Sequence, residues 1–269
     1  MIETSDISFV LSGGSANTVA ADSLGGEPSV TTVPARLFAD VSADESEEGA
    51  THYRCIYIAN DHASETLYHA TLHIADEVAD GASASLGFII QDEIQQVVVA
   101  NGTTVSSGSL ILLYDGDDFT VTYNATLSTW ASNFQTAIQA VSNLDDVTVT
   151  ASTSGTTVIF EIVFGGTAGN RYHPVLEIDS NTLSPSALGT VFKITDGGPI
   201  NTVAPEIDSE TTPPNGIVFY TPTEDEPLEL GEFRPEDMIP VWIKRTCPVD
   251  TDAVADDGFT LQLEGEPIE

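Results

Sequence analysis

Most of this chain consists of short runs of β-branched and aromatic residues, each bounded by Gly, Pro, Asn or Asp. Runs of this length and composition are typical of β-strands joined by tight turns. Many short strands of this kind predict a mainly β fold, with an immunoglobulin-like or jelly-roll-type β-sandwich as its main body. The clearest runs are Ile7–Leu11, Tyr53–Asn60, Leu67–Ile74, Ile239–Thr246 and Phe259–Leu263.

One segment departs from the strand pattern. From Leu127 to Val141 the apolar residues recur at helical spacing, among them Trp130, Phe134 and Ile138. Strand-like runs lie on both sides of this helix, and Asp115-Gly116 between the first two is a strong hairpin signal. We expect a small α+β domain of ββαββ order at residues 92–197, with its helix packed on one small sheet. It is inserted into a loop of the sandwich domain, which comprises residues 1–91 and 198–269.

The chain has 42 acidic and seven basic residues, a formal net charge of −35. Charges interact over roughly 10 Å at ~0.1 M salt but only about 3 Å at ~1 M. So acidic a surface is therefore least costly in concentrated brine, where the carboxylates also keep the protein soluble. The composition predicts a halophilic protein, from an archaeon or from a virus of such a host. It argues against nucleic acid as a partner, because that binding requires clustered Lys and Arg.

The N-terminal sequence has neither the basic nor the apolar region of a signal peptide. No apolar run approaches the ~20 residues of a membrane-spanning helix. We therefore expect neither secretion nor a membrane span. Cys55 and Cys247 lie in strand-like runs that can be neighbours in one sheet, so a disulfide between them is one alternative. The favoured interpretation is that they are two separate buried thiols.

Five different motifs follow one another along the sandwich sequence. Taken in this order, they resemble the sequences of a family of virion structural proteins in tailed bacteriophages, and the resemblance covers most of the sandwich domain. The motifs are Leu11–Asn17 with Ser23–Gly26, Leu37–Ser42, Tyr53–Ile58, Val241–Thr246 and Phe259–Gly265.

The inserted sequence resembles a small display module found in phage and bacterial surface proteins. This second resemblance implies exposure on a surface rather than one particular activity. It is carried by Asp92–Val97, Tyr114–Gly116, Ile138–Val141, Val147–Thr150, Phe164–Asn170 and Pro174–Leu176.

Together with the charge, the two resemblances imply a virion structural protein of a haloarchaeal tailed virus, assembled in the host cytoplasm. A tail or baseplate position is favoured, and capsid decoration or a turret is the alternative. The expected partners are copies of the chain itself, in a trimer or another symmetric ring, and other virion proteins. A carbohydrate-binding adhesin that contacts the host cell surface is the alternative of another class.

Carboxylates gather at Asp115, Asp117 and Asp118, within the predicted hairpin turn. Ca²⁺ and Mg²⁺ prefer oxygen ligands of this kind, so these three residues are the first candidate for a cation site. In so acidic a chain, neighbouring carboxylates also arise without any site. No cofactor other than Ca²⁺ or Mg²⁺ is expected.

Basic residues are concentrated only at Arg54, Lys244 and Arg245, provided that the two strands carrying them are adjacent. Arginine is suited to bidentate pairing with carboxylates. These residues are therefore candidates for a contact with an acidic neighbouring subunit. Intramolecular salt bridges are the equal alternative.

Catalytic motifs are missing from the sequence. It has no Gly-x-Ser-x-Gly elbow, no Walker-type loop and no His-Glu-x-x-His motif. The sequence does not exclude a pair of catalytic carboxylates like that of a glycosidase, because the distance between such carboxylates depends on the fold. We expect that the protein is not an enzyme.

Overall fold

The computed structural model describes residues 2–250, 254 and 257–267. The chain divides into two compact units, one formed by the residues up to Ile90 together with those from Pro199 onward, the other by Gln91–Gly198. We call them the host unit and the inserted unit. Each boundary lies one residue from the one expected from the sequence.

In chain order, the described strands are β1 (Ile7–Ser12), β2 (Pro28–Thr32), β3 (Ala50–Asn60), β4 (Leu67–Ala75), β5 (Ser83–Phe88), β6 (Ile90–Gln91), β7 (Glu93–Ala100), β8 (Ser109–Tyr114), β9 (Asp117–Thr122), β10 (Thr148–Ser154), β11 (Thr157–Phe164), β12 (Glu177–Asn181), β13 (Leu188–Thr195), β14 (Gly198–Pro199), β15 (Val218–Tyr220), β16 (Leu228–Phe233), β17 (Met238–Cys247) and β18 (Thr260–Pro267). The α-helices are α1 (Ala43–Glu48) and α2 (Leu127–Ile138).

The host unit is a β-sandwich of two antiparallel sheets. The larger sheet has the order β15-β5-β17-β3-β1-β2 and the smaller β16-β4-β18. Val241 of β17 lies opposite Ile56 of β3, so the two strands expected to be neighbours do pair. Leu72 of β4 lies opposite Leu228 on one side and Leu263 on the other. Side chains from the facing surfaces form one buried apolar cluster, which includes Ile56, Phe88, Phe233 and Ile243.

The larger sheet is also covered on its other face. There Cys55, Tyr57 and Trp242 form a second buried cluster with residues of the segment that precedes β15. Covering on both faces explains why β3 is buried at every position from Arg54 to Asn60 instead of alternating.

The Ser23–Gly26 motif fixes this cover to the sheet. The Tyr57 hydroxyl donates to the carbonyl oxygen of Gly26 (2.7 Å) and accepts from the N–H of Ala204 (2.8 Å). Burial raises the pKa of Tyr57 to about 12. Gly25 has a φ of +96°, and a Cβ there would collide with the carbonyl oxygen of Pro205. The motif therefore permits a close approach of two backbone segments.

The two cysteines are separate buried thiols. Cys55 lies opposite Trp242, whereas Cys247 lies opposite Ala50 at the other end of the ladder. Cys247 follows Trp242 by an odd number of residues, so the two thiols lie on opposite faces of the sheet. The favoured interpretation of the sequence is confirmed, and the disulfide is excluded.

The inserted unit has two antiparallel sheets, ordered β10-β11-β7-β13 and β12-β8-β9. The hairpins β8–β9 and β10–β11 belong to different sheets, and α2 packs against the edge strands β9 and β10 of both. The expectation of one helix on one small sheet was therefore wrong in this detail. The aromatic side chains of Trp130, Phe134 and Phe160 meet at the centre of its core, with ring centroids 5.0 to 5.3 Å apart for the pairs that contact Phe160.

The prediction of a mainly β fold, a β-sandwich with a small helix-containing insertion, is confirmed. Among the described residues, no helix is both long enough and apolar enough to span a bilayer.

Candidate functional site

The hairpin predicted at Asp115-Gly116 is present between β8 and β9. Both turn residues have positive φ values, 49° and 86°, as a two-residue hairpin turn of this type requires. Asp117 and Asp118 are consecutive strand residues, so their carboxylates point to opposite faces of the hairpin. In the part of the chain that the structure describes, no group of three or more His, Cys, Asp or Glu side chains is arranged to hold a metal ion. A cation at Asp115, Asp117 and Asp118 stays a prediction.

The three basic residues singled out by the sequence lie on the paired strands β3 and β17 but not on one face. Arg54 lies opposite Ile243, and Arg245 lies opposite His52, so these two arginines share a face. Lys244 points to the other face, where its ammonium lies 5.9 Å from the centre of the Phe219 ring. The structure therefore brings together Arg54 and Arg245 and separates Lys244 from them.

Arg54 and Arg245 form a cluster with His52, Glu45, Glu210 and Phe38, which we call the arginine cluster. Both guanidinium groups lie over the ring of Phe38, at 5.6 Å for Arg54 and 4.7 Å for Arg245. Arg54 makes an ion pair with Glu210, and Arg245 donates to the carbonyl oxygen of Ala39 (2.6 Å). The arginines thus hold the segment around Phe38 against the end of the sandwich.

His52 connects this segment to helix α1. Its Nδ1 lies 3.0 Å from a guanidinium nitrogen of Arg245, which can only donate, so the ring proton is assigned to Nε2. Nε2 lies 3.0 Å from the carboxylate of Glu45. Glu45 also completes a capping box with Ser42, whose backbone N–H lowers the pKa of Glu45. The acidic run at 44–48 is therefore part of a helix that is held at its N-terminus by the capping box and by His52.

Arg54 and Arg245 thus have partners within their own chain. For Arg54 the structure shows the intramolecular salt bridge that the sequence left as an alternative, since Arg54 is paired with Glu210. An inter-subunit contact of Arg54, Lys244 and Arg245 stays a prediction, with Lys244 and Arg245 half-buried.

The inserted unit contains a polar cluster that was missed in the sequence. Glu93, at the start of β7, is fully buried and accepts hydrogen bonds from the N–H of His173 (2.8 Å) and the side chain of Gln95 (2.6 Å). The ammonium of Lys193 lies 3.3 Å from it. Burial raises the pKa of Glu93. We call Glu93, Gln95, His173, Lys193 and Tyr114 the Glu93 clamp.

His173 is held by both ring nitrogens. Its Nε2 lies 2.6 Å from the carbonyl oxygen of Ala168 and must donate to it, so Nδ1 accepts from the hydroxyl of Tyr114 (2.6 Å). The ring stacks on Phe164 with 4.2 Å between centroids. Burial lowers the pKa of His173 to about 4. The imidazole is therefore neutral at pH 7, and its two hydrogen bonds connect the backbone at Ala168 to the side chain of Tyr114.

The clamp and its neighbours fix the glycine-rich loop 165–176. Asp92 accepts from the backbone of Asn170 (3.0 Å), and Asp146 accepts from that of Thr167 (2.9 Å). Gln95 donates to the carbonyl of residue 174 (2.9 Å) and accepts from the N–H of residue 176 (2.8 Å). The motif Asp92–Val97 thus contacts Phe164–Asn170 and Pro174–Leu176, which lie about 70 residues further along the chain.

The signal for this cluster was present in the alternation of β7. Glu93 and Gln95 have the same parity as Val97 and Val99, and all four are fully buried. Polar residues on the core face of a strand require buried partners. That rule identifies Glu93 and Gln95 as members of a network, although it does not identify His173 or Lys193.

No protein-family profile matches this chain, and no curated protein sequence is significantly similar to it.

Proposed function

We propose that the chain is a structural protein of a tailed-virus particle from a hypersaline habitat. The single observation that carries the proposal is the role that the motifs of the two resemblances have in the fold. Ser23–Gly26 fixes the cover of the large sheet, Tyr53–Ile58 pairs with Val241–Thr246, and Asp92–Val97 fixes the glycine-rich loop. Each motif positions backbone, which is what a scaffold requires.

The buried ionisable groups support the same proposal. Glu93 accepts its hydrogen bonds from groups of its own chain, and Arg54 is paired with Glu210. Catalytic acids and bases instead need reach to a substrate proton. The inserted unit has its own apolar core, as a displayed module needs. We place the protein in the tail or baseplate, with capsid decoration or a turret as the alternative position.

Particles purified from a halophilic host culture provide the test. We expect mass spectrometry of gradient-purified particles to find this chain at a fixed ratio to the major capsid protein, and electron microscopy to assign it density on the tail. Recovery of the chain only from cell lysate, with particles lacking it, would contradict the proposal. So would turnover of a glycan or peptide substrate by the purified chain that is lost on changing one acidic pair.

A further inference from the structure

The outer face of the four-stranded sheet in the inserted unit is nearly free of charge in a chain that is otherwise strongly acidic, and half of its side chains are apolar. The strand pairing places alternate residues of β10, β11 and β7 on this face, together with Leu188, Thr190 and Phe192 of β13. Ile194 follows them at a register shift, beyond which Thr195 lies opposite Ile94. One side chain of this face, Glu161, is charged. We call this surface the outer sheet face. It consists of Leu188, Thr190, Phe192 and Ile194 from β13, Ile94, Gln96, Val98 and Ala100 from β7, Thr157, Ile159, Glu161 and Val163 from β11, and Thr148, Thr150, Ser152 and Ser154 from β10.

The largest side chains of this face are open to solvent. Leu188, Phe192 and Ile194 are 69%, 49% and 53% exposed. Val191, between them, points inward and packs against the core. The strand β13 therefore presents apolar side chains on both faces. Monomeric proteins rarely expose a contiguous apolar patch of this kind unless something binds there.

Charge limits what can bind to this face. It carries no lysine, arginine or histidine, so it offers nothing to a nucleic acid or an acidic peptide. Two copies of a chain with a net charge of −35 repel each other wherever their carboxylates meet. The outer sheet face brings only Glu161 to such a contact, and that side chain is hydrogen-bonded to Gln96 (3.3 Å). A second copy of this face is a suitable partner, because it too brings a single charged side chain to the contact.

The size of the face also fits a dimer. Four strands about 4.8 Å apart and seven residues long at about 3.3 Å per residue give a face of roughly 400 Å². Two such faces, with their side-chain relief, bury on the order of 1,000 Å², the lower limit for a specific interface. Stacked sheets pack about 10 Å apart through interdigitating side chains of this kind.

We propose that two copies of the chain associate through the outer sheet faces of their inserted units, as a symmetric sheet-on-sheet dimer centred on Phe192 and its neighbours. The inference rests on the proposed structural role, because it names the surface by which copies assemble. Concentrated salt favours this contact twice, by screening the repulsion and by strengthening apolar association.

Sedimentation equilibrium of the full chain at ~2 M KCl tests the proposal. We expect wild type to be dimeric, and Phe192→Glu to be a folded monomer whose dimer dissociation constant is raised at least about 100-fold. Val30→Glu is the matched control, since it places the same charge at an exposed strand position of the host unit, where Val30 is 80% exposed. It should remain dimeric. Near-ultraviolet circular dichroism checks that each variant is folded.

A second variant, Leu188→Ser with Ile194→Ser, removes apolar area without adding charge and should also weaken the dimer, by about 10-fold or more. A wild-type chain that stays monomeric in brine would overturn the dimer. So would equal dissociation constants for Phe192→Glu and Val30→Glu. Neither result touches the virion proposal, which is decided by the composition of the particles.

Discussion

The two units both bury charged groups, but groups of opposite sign. In the host unit the buried member is a cation: the side chain of Arg54 is 4% exposed, whereas its partner Glu210 is 38% exposed. In the inserted unit the buried member is a carboxylate: Glu93 is 0% exposed and its partner Lys193 is 12% exposed. The arginine cluster is thus half open to solvent, and the Glu93 clamp is closed.

This difference predicts two different sensitivities. Salt screens the ion pairs of the arginine cluster, because their carboxylates face the solvent, while the guanidinium groups keep their charge at every accessible pH. The Glu93 clamp is shielded from salt, but it contains His173 and Glu93, whose protonation differs between the folded and unfolded chain. Removing the arginine cluster should therefore change the salt dependence of stability, and removing the Glu93 clamp should change its pH dependence.

The two units can be followed separately. The chain has two tryptophans, and Trp130 is buried in the inserted unit while Trp242 is buried in the host unit. A Trp242→Phe background therefore reports the inserted unit by fluorescence, and Trp130→Phe reports the host unit. All the variants below are compared within these backgrounds.

The largest effect is expected for Glu93→Ala in the inserted unit. It leaves the buried His173 N–H without its acceptor and removes the nearer of the two carboxylates beside the Lys193 ammonium, which keeps the His173 carbonyl oxygen and Asp196; together this costs about 3 kcal/mol. Denaturant unfolding followed by Trp130 measures it. Glu177→Ala, which removes an exposed carboxylate from β12, is the matched control and should leave stability unchanged. A loss of less than about 1 kcal/mol for Glu93→Ala would show that the clamp does not hold the unit together.

A pH dependence of similar size is expected from His173. Its folded pKa of about 4 lies below the ordinary 6.5, so the unfolded chain takes up the proton first as pH falls. The stability it contributes is complete above about pH 6.5 and is lost towards pH 4, about 3 kcal/mol in all. The raised pKa of Glu93 acts oppositely, because the folded state keeps that proton to higher pH.

The variant His173→Gln separates these two contributions. It lacks the imidazole but retains Glu93, so the difference between wild type and variant isolates the histidine. We expect that difference to shrink between pH 6.5 and pH 4 when Trp130 reports unfolding, and no such trend when Trp242 does. Parallel pH curves for wild type and His173→Gln would contradict the assignment.

Strand periodicity predicted most of the fold because burial on one face or two leaves a direct mark on the sequence. The helix at Trp130 and Phe134 and the turn at Asp115-Gly116 were readable for the same reason. The division of the inserted unit into two sheets was not, because both hairpins satisfy their local patterns in either arrangement. Helix α1 was hidden because none of its residues is buried, so it has no apolar stripe to read.

The polar clusters were less readable than the fold. The adjacency of β3 and β17 was expected, but the sequence does not show that Arg245 shares a face with Arg54 while Lys244 does not. That distinction depends on register, and a shift of one residue reverses it. His173 and Lys193 join Glu93 across about 80 and 100 residues of chain respectively, which no local pattern encodes.

A smaller effect is expected for Arg54→Ala in the host unit, about 2 kcal/mol at moderate salt. The variant loses the ion pair with Glu210 and the packing on Phe38. Arg54→Met restores the packing without the charge and should recover at least half of the loss, since an apolar side chain also removes a guanidinium Nε that has no hydrogen-bond partner. Because salt screens the pair, the Ala defect should shrink between ~0.5 and ~3 M KCl, measured through Trp242. If the loss of stability in Arg54→Ala does not change with salt, the arginine cluster is as shielded from salt as the Glu93 clamp, and the proposed difference between the two clusters is wrong.

The smallest effect separates two neighbouring cations. Arg245→Ala removes the donor to Ala39 and His52 and the contact with Phe38, at a cost of about 1 kcal/mol. Lys244→Ala makes the same change in net charge on the opposite face, where the lysine has a 5.9 Å contact with Phe219, and should cost less than half as much. Equal losses in urea unfolding followed by Trp242 would mean that net charge alone governs these positions. A larger loss for Arg245 ties stability to the arginine cluster, because only the direct contacts of the two residues differ.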